Sequence, residues 1–118
     1  MLAEKLGRST YGGFAIMLVH ADIASPHLFH AGSAEQLARY LPDIISGRRI
    51  AAVAMTEPNA GSDLASMRTT GRREGPRWKL NGSRIFITNG VHGDIFFVAA
   101  KSARRTERAN GYLPLIWF

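Results

Sequence analysis

Ile50-Ala51-Ala52-Val53-Ala54-Met55-Thr56 passes directly into Glu57-Pro58-Asn59-Ala60-Gly61-Ser62-Asp63, and this junction decides the fold class. The first seven residues are a continuous, mostly small apolar run of strand length, the pattern of a strand buried on both faces. The next seven are dense in turn formers and read as a loop. Upstream of Gly47 the apolar spacing is helical, and downstream short β-like runs alternate with turn signals. The expected fold class is α+β. N-terminal helices occupy residues 1–49, and an incomplete antiparallel β-sandwich or barrel-like domain occupies residues 50–118.

Working outward toward the N-terminus, Gly12-Gly13 breaks the chain, and Phe14, Met17, Leu18 and Ala21 then fall at helical spacing. Pro26 is expected to end that element, because the residue before a proline is pushed out of the α region. Ser33 with Gln36 three residues on forms a capping-box pattern ahead of a helix that presents Leu37, Tyr40 and Leu41 on one face. Pro42 is expected to open a separate short turn over residues 43–46, closed by Gly47. Toward the C-terminus, residues 68–73 predict a polar strand closed by Gly75-Pro76, and Trp78-Lys79-Leu80 predicts another. Asn81-Gly82 is a hairpin signal, with residues 84–88 as the returning strand. Ile95-Phe96-Phe97-Val98-Ala99-Ala100 is rich in aromatic and β-branched residues and predicts a further strand. An exposed basic loop is expected from Lys101 to Gly111, then a last strand weakened by Pro114. The closing Leu115-Ile116-Trp117-Phe118 is expected to be a chain cut mid-strand, since such an edge invites association.

Composition excludes several classes. With 46% hydrophobic and 20% charged residues the chain is not of the disordered type, and with no cysteine it has neither disulfides nor thiolate metal sites. No apolar run is long enough to span a bilayer and no signal-peptide pattern occurs, so a cytoplasmic location is the default expectation. The formal charge is 15 − 9 = +6, and the excess lies beyond Leu64. Such a surface attracts polyanions, or is a solvated face whose acidic counterpart lies elsewhere. A small basic nucleic-acid-binding module is the alternative of another class. Against it, Trp78, Phe86, Phe96 and Phe97 lie within apolar runs and are not interleaved with exposed arginines as stacking platforms require.

Metal and nucleophile patterns are weak. His27 and His30 stand at a ligand-compatible spacing but without an acidic partner, and no metal site is expected. Ser62 lacks the glycine spacing of a nucleophile elbow. Two stretches remain. In Met55–Asp63 a buried strand delivers the Thr56 hydroxyl into a loop where Gly61 and Ser62 let backbone N–H groups approach a flat or anionic ligand. The same residues also suit a polar turn in which Ser62 and Asp63 bond their own backbone. In Phe86-Ile87-Thr88-Asn89-Gly90 an aromatic face and a hydroxyl two residues apart would share one side of a strand. That pair suits a planar heteroaromatic ring, or a core phenylalanine beside a strand-terminal threonine.

Residues 54–63 and 81–90 together, with the helix around residues 32–42, resemble the acyl-CoA dehydrogenase family, and the likeness runs from about His20 to Lys101. The resemblance implies FAD as cofactor, with Val53, Met55 and Thr56 lining its isoalloxazine ring and the Thr56 hydroxyl bonding the polar edge. It implies that Gly61 and Ser62 approach FAD and the acyl-CoA substrate together, Ser62 contacting the thioester-bearing arm. Phe86 stands where the family commonly has a tryptophan packing on the flavin. Ile87 belongs to the same flavin-binding strand, and Thr88 would bond near the hydride-accepting nitrogen. The implied reaction is α,β-dehydrogenation of an acyl-CoA thioester in lipid metabolism. Electron-transfer flavoprotein or a similar acceptor takes the electrons, and the full-length parent is a homo-oligomer whose FAD spans two subunits. Acyl-CoA oxidases and flavin monooxygenases share this β-domain. The family's catalytic glutamate belongs to a C-terminal helical domain without a counterpart here, so no catalytic residue is expected in this chain and Glu57 is not that base. The segment after Lys101 departs from the family pattern.

Overall fold

The computed structural model describes residues 2–10, 13, 18–102 and 112–117. Among the described residues three α-helices precede the sheet: α1 (Leu2–Gly7), α2 (Ser25–Ala31) and α3 (Ala34–Ile45). A π-helical turn, Val19–Ala24, leads straight into α2. Of the first expected helix, Phe14 and Met17 lie outside the described residues. Pro26 does not end the helical path: it sits in the first turn of α2, where a missing N–H leaves nothing unpaired. The expected capping box is present at α3, the Gln36 amide donating to Ser33 Oγ at 3.2 Å and the Ser33 amide to Gln36 Oε1 at 2.8 Å. Pro42 lies inside α3 and opens no separate turn. Its ring removes one amide donor, but its carbonyl still accepts the Ser46 amide at 3.1 Å, so the last turn closes. Gly47, at φ 72°, then supplies the left-handed step that turns the chain toward the sheet.

Five strands follow: β1 (Ala51–Ala54), β2 (Thr70–Glu74), β3 (Arg77–Asn81), β4 (Ile95–Ser102) and β5 (Tyr112–Trp117). They do not form the expected antiparallel meander. β2 and β3 are an antiparallel hairpin, but β4 pairs parallel with both β1 and β2 and antiparallel with β5. Val98 pairs with Ala54 and also with Ile116, while Lys101 pairs with Thr70 and also with Tyr112. β1 and β2 therefore follow one another along one edge of β4, and β5 takes the other. The result is an open mixed sheet. Parallel pairing needs crossover connections, and short-range turn signals cannot report them. The expected exposed loop after β4 lies, from residue 103 to 111, outside the described residues.

Alternation along the central strands sets the layers. Ala51 and Val53 of β1 and Ile95 and Phe97 of β4 stand side by side in the parallel register. They pack on Ala24, Leu28 and Ile44 from the helices, with Leu37, Tyr40, Leu41 and Met55 around them. Among the described residues no helix is long and apolar enough to cross a membrane.

His20 ties the helical layer to the sheet. Its Nδ1 accepts the Ala51 amide at 2.8 Å and its Nε2 meets the Ile44 carbonyl at 2.9 Å. An amide can only donate, so the ring proton sits on Nε2 and is given to Ile44. Replacing His20 by Ala takes this partner from the Ala51 amide in a part-buried seam, while the Ile44 carbonyl keeps the Gly47 amide, and the expected loss is about 1–3 kcal/mol in urea denaturation. A loss below about 0.5 kcal/mol, the range of an indifferent surface change, would remove this role.

Candidate functional site

At the end of β1 the backbone leaves the sheet through half-buried Met55 and Thr56 and closes a tight turn. The Glu57 amide donates to the Ala60 carbonyl at 2.9 Å and the Ala60 amide returns to Glu57 at 3.2 Å. Gly61 and Ser62 follow, both exposed, and a Cβ at Gly61 would meet open space. Of the two residues expected to bond their own backbone in a polar turn, Asp63 does so: its Oδ1 accepts the Ala65 amide at 3.1 Å and caps the 3-10 turn Leu64–Ser66.

The second stretch is not the strand expected from its composition. Residues 84–88 form no ladder; the partner of β3 is β2, through the turn at Gly75-Pro76. Gly82 marks a close approach rather than a hairpin turn, since a Cβ there would collide with the Thr69 side chain. Phe86 adopts φ 53° and is 89% exposed, so the shared strand face inferred for Phe86 and Thr88 does not exist. A bulky residue in the left-handed region is strained, and such strain clusters at functional sites.

Residues 85–94 nevertheless run back antiparallel to β1, tied to the strand and its two flanks at three places. The Ile85 amide donates to the Thr56 carbonyl at 3.1 Å, and Asn89 Nδ2 donates to the Ala51 carbonyl at 3.1 Å. Asp94 exchanges two bonds with Ile50, its carboxylate accepting the Ile50 amide and its own amide reaching the Ile50 carbonyl, each at 2.8 Å. Asn89 holds φ 63°, which asparagine tolerates better than most residues. A Cβ at Gly90 would lie 2.8 Å from the Ile87 carbonyl oxygen, so glycine is required there.

The two stretches singled out by sequence thus meet, side by side, where β1 ends. Of the individual residues, Val53 lies in the helix-facing core, Met55, Thr56, Ile87 and Thr88 are half-buried, and Gly61, Ser62 and Phe86 are exposed. Among the described residues no hydrogen bond engages the Thr56 or Thr88 hydroxyl. His27 and His30, weighed above as ligands, face aromatic rings: His27 lies 6.0 Å from Phe97 and His30 edge-on to Phe29 at 5.3 Å. Burial lowers the His27 pKa, and the neighbouring His30 lowers it further.

Sequence reading missed the polar centre of this site. Glu57, buried, receives the Arg68 amide at 2.7 Å and the Thr69 amide at 2.8 Å, one on each oxygen. Arg84 Nη1 completes the set at 3.2 Å, with the two side chains 5% and 11% exposed. The guanidinium also donates to the carbonyls of Met55 and Ala99. Burial alone would push the Glu57 carboxyl up, but the opposing contacts hold it down at about 2. The Thr69 hydroxyl is near but makes no hydrogen bond of proper geometry, so the two amides and the guanidinium carry the depression. The only advance signal was a glutamate in an otherwise small-residue loop and an arginine at the head of the apolar Ile85-Phe86-Ile87, 27 positions apart (84 − 57).

Comparison with known proteins gives this geometry its class. Residues 1–48 match the family profile described as "Acyl-CoA dehydrogenase, N-terminal domain", and residues 52–116 match "Acyl-CoA dehydrogenase, middle domain". The chain belongs to the acyl-CoA dehydrogenase family. It is 45% identical over 95 residues to the mitochondrial long-chain specific acyl-CoA dehydrogenase of Sus scrofa, covering 80% of this chain and 21% of that protein. A crystal structure of an acyl-CoA dehydrogenase from Geobacillus kaustophilus matches with TM-score 0.82 at 37% identity, covering 91% of this chain and 28% of that one. An FAD complex of PigA matches with TM-score 0.73 at 36% identity, covering 78% and 24%. The chain spans about a fifth of the length of the first of these relatives.

Acid titration checks the electrostatics. A carboxyl lowered by folding contributes stability that is complete above its unfolded value, about 4.3, and lost as pH falls toward about 2. Glu57→Gln is expected to cost about 3–5 kcal/mol at neutral pH by stranding Arg84, and to flatten the stability profile between those limits. An acid limb as steep as that of the unmodified chain would mean that Glu57 does not carry this dependence.

Proposed function

We propose that this chain is the flavin-facing part of an acyl-CoA dehydrogenase that converts acyl-CoA thioesters to enoyl-CoA. In this reading residues 1–49 close a helical domain, residues 50–118 begin the β-domain, and FAD lies across the end of β1. The observation that carries the reading is the fastening of residues 85–94 along β1, with the Ile85 amide on the Thr56 carbonyl at 3.1 Å. It joins the segment that carries the exposed Phe86 and the half-buried Thr88 to the backbone of the half-buried Thr56, with the open Gly61 loop a few residues further on.

The donor set fits a flavin ring. Hydroxyls at Thr56 and Thr88 suit its polar edge, and the exposed Phe86 ring and the side chains of Ile87 and Met55 suit its apolar faces. Val53 is buried in the helix-facing core, so its contact with the ring is through its backbone. The N–H groups of Gly61 and Ser62 are free of a crowding Cβ on the Gly61 side, which suits a phosphate or a thioester carbonyl, and Ser62 is assigned to the substrate arm. When bound, FAD supplies the hydride acceptor for the β-hydrogen. The residues of this chain orient the ring and polarise its edge. The carboxylate that takes the α-proton comes from outside these 118 residues, as does the acceptor, for which electron-transfer flavoprotein is the proposed class. The assembly is proposed to be a homo-oligomer acting in fatty-acid metabolism.

The full-length polypeptide carrying this segment is expected to purify with bound flavin and to bleach on addition of an acyl-CoA. Thr88→Ala in that polypeptide is expected to slow flavin reduction about tenfold, the rate equivalent of one hydrogen bond of about 1.4 kcal/mol. Stopped-flow absorbance reads this directly, and an unchanged rate would remove the role given to the Thr88 hydroxyl.

A further inference from the structure

We infer that Glu57 and Arg84 are a positioning pair that sets the register of residues 84–88 against the end of β1, and through it the geometry at which Thr56 and Thr88 meet the flavin. The inference rests on the flavin reading above and assigns a role to two residues outside its contact set. Arg84 sits where three backbone paths converge. Its guanidinium reaches the Met55 carbonyl, immediately before Thr56, and the Ala99 carbonyl in β4, while Glu57 neutralises it at 3.2 Å. The next residue, Ile85, gives its amide to Thr56. Arg84 is therefore the point from which the segment is hung on β1, two residues before the strained Phe86.

The carboxylate is itself fixed in position. Glu57 cannot swing with Arg84, because its two oxygens are taken by the Arg68 and Thr69 amides and its own backbone closes the turn on Ala60. An immobile anion at the end of β1 thus selects where the guanidinium docks. A planar guanidinium can span a carboxylate and two carbonyls at once, whereas an ammonium is a point charge on a flexible stem. The arrangement needs arginine at residue 84 more than it needs a positive charge.

A brace that merely stabilises and a brace that sets register differ when both charges are removed together. In the full-length polypeptide, Arg84→Met strands a buried carboxylate and is expected to lower the thermal midpoint. Combining it with Glu57→Gln removes the stranded charge and is expected to restore most of that midpoint. Register should not return with it. The double variant is expected to lose at least tenfold in hydrogen-exchange protection at the Ile85 amide. It is also expected to bind FAD at least tenfold more weakly, with an altered visible circular dichroism of the bound flavin. Arg84→Lys, which keeps the charge and leaves the fold least disturbed, is expected to recover only part of both signals.

A double variant or Arg84→Lys protein with Ile85 protection and FAD affinity within twofold of the unmodified protein would overturn the inference. If the unmodified polypeptide binds no flavin, the flavin reading fails and takes with it the pair's role at the ring. The exchange arm then still decides separately whether Glu57 and Arg84 set the register.

Discussion

The return of residues 85–94 along β1 is the constraint on which the candidate site depends. One edge of this short strand is paired with β4; the other carries backbone groups that would be left bare beside a buried core. Of residues 85–94, the Asn89 side chain reaches that free edge at the Ala51 carbonyl, while the Ile85 amide ties to Thr56 beyond the strand and Asp94 ties to Ile50 on the side where Ile95 opens β4. His20 takes the Ala51 amide from the helical side. Because these ties are discrete, the covering segment is free to adopt the left-handed steps at Phe86 and Asn89 that a regular strand would forbid. The irregularity leaves an aromatic and a hydroxyl facing outward from a rigid base, a suitable support for a planar ligand.

A dense polar knot stabilises that base. The buried Glu57 and Arg84 would each be costly alone, and together they satisfy two amides and two carbonyls from the loop before β2, the end of β1 and β4. The exposed arginines are of a different kind. Arg72 stands opposite Lys79 in the β2–β3 hairpin, a like-charge pair offset by the ion pair between Arg72 and Glu74. Of the cations beyond Leu64, Arg84 is buried and neutralised, Arg72, Arg73, Arg77 and Lys79 lie on the β2–β3 hairpin, and Arg104, Arg105 and Arg108 lie outside the described residues.

Local chemistry was legible in the sequence where neighbours along the chain decide it. The Ser33–Gln36 capping box, the continuous burial of Ala51–Ala54 and the strand at Ile95–Ser102 depend on residues a few positions apart. Asn81-Gly82 misled, because a glycine needed for close contact with Thr69 looks like one needed for a turn. Prolines misled at Pro26 and Pro42, where a helix start and a closing last turn tolerate the missing donor. The parallel pairing of β1 and β2 on β4, the His20 tie to Ala51 and the Glu57–Arg84 pair each join distant positions, and nothing local announces them. The positions of Thr56 and Thr88 were read from a family resemblance. That they lie on adjoining segments follows from the structure, through bonds that neither residue type would have suggested.

The most direct measurement is a crystal structure of the full-length polypeptide carrying this segment, grown with FAD. The isoalloxazine ring should lie at the end of β1 with the Thr56 and Thr88 hydroxyls both within hydrogen-bonding distance of its polar atoms. A ring bound elsewhere, or those two hydroxyls on opposite faces of the sheet, would contradict the shared site.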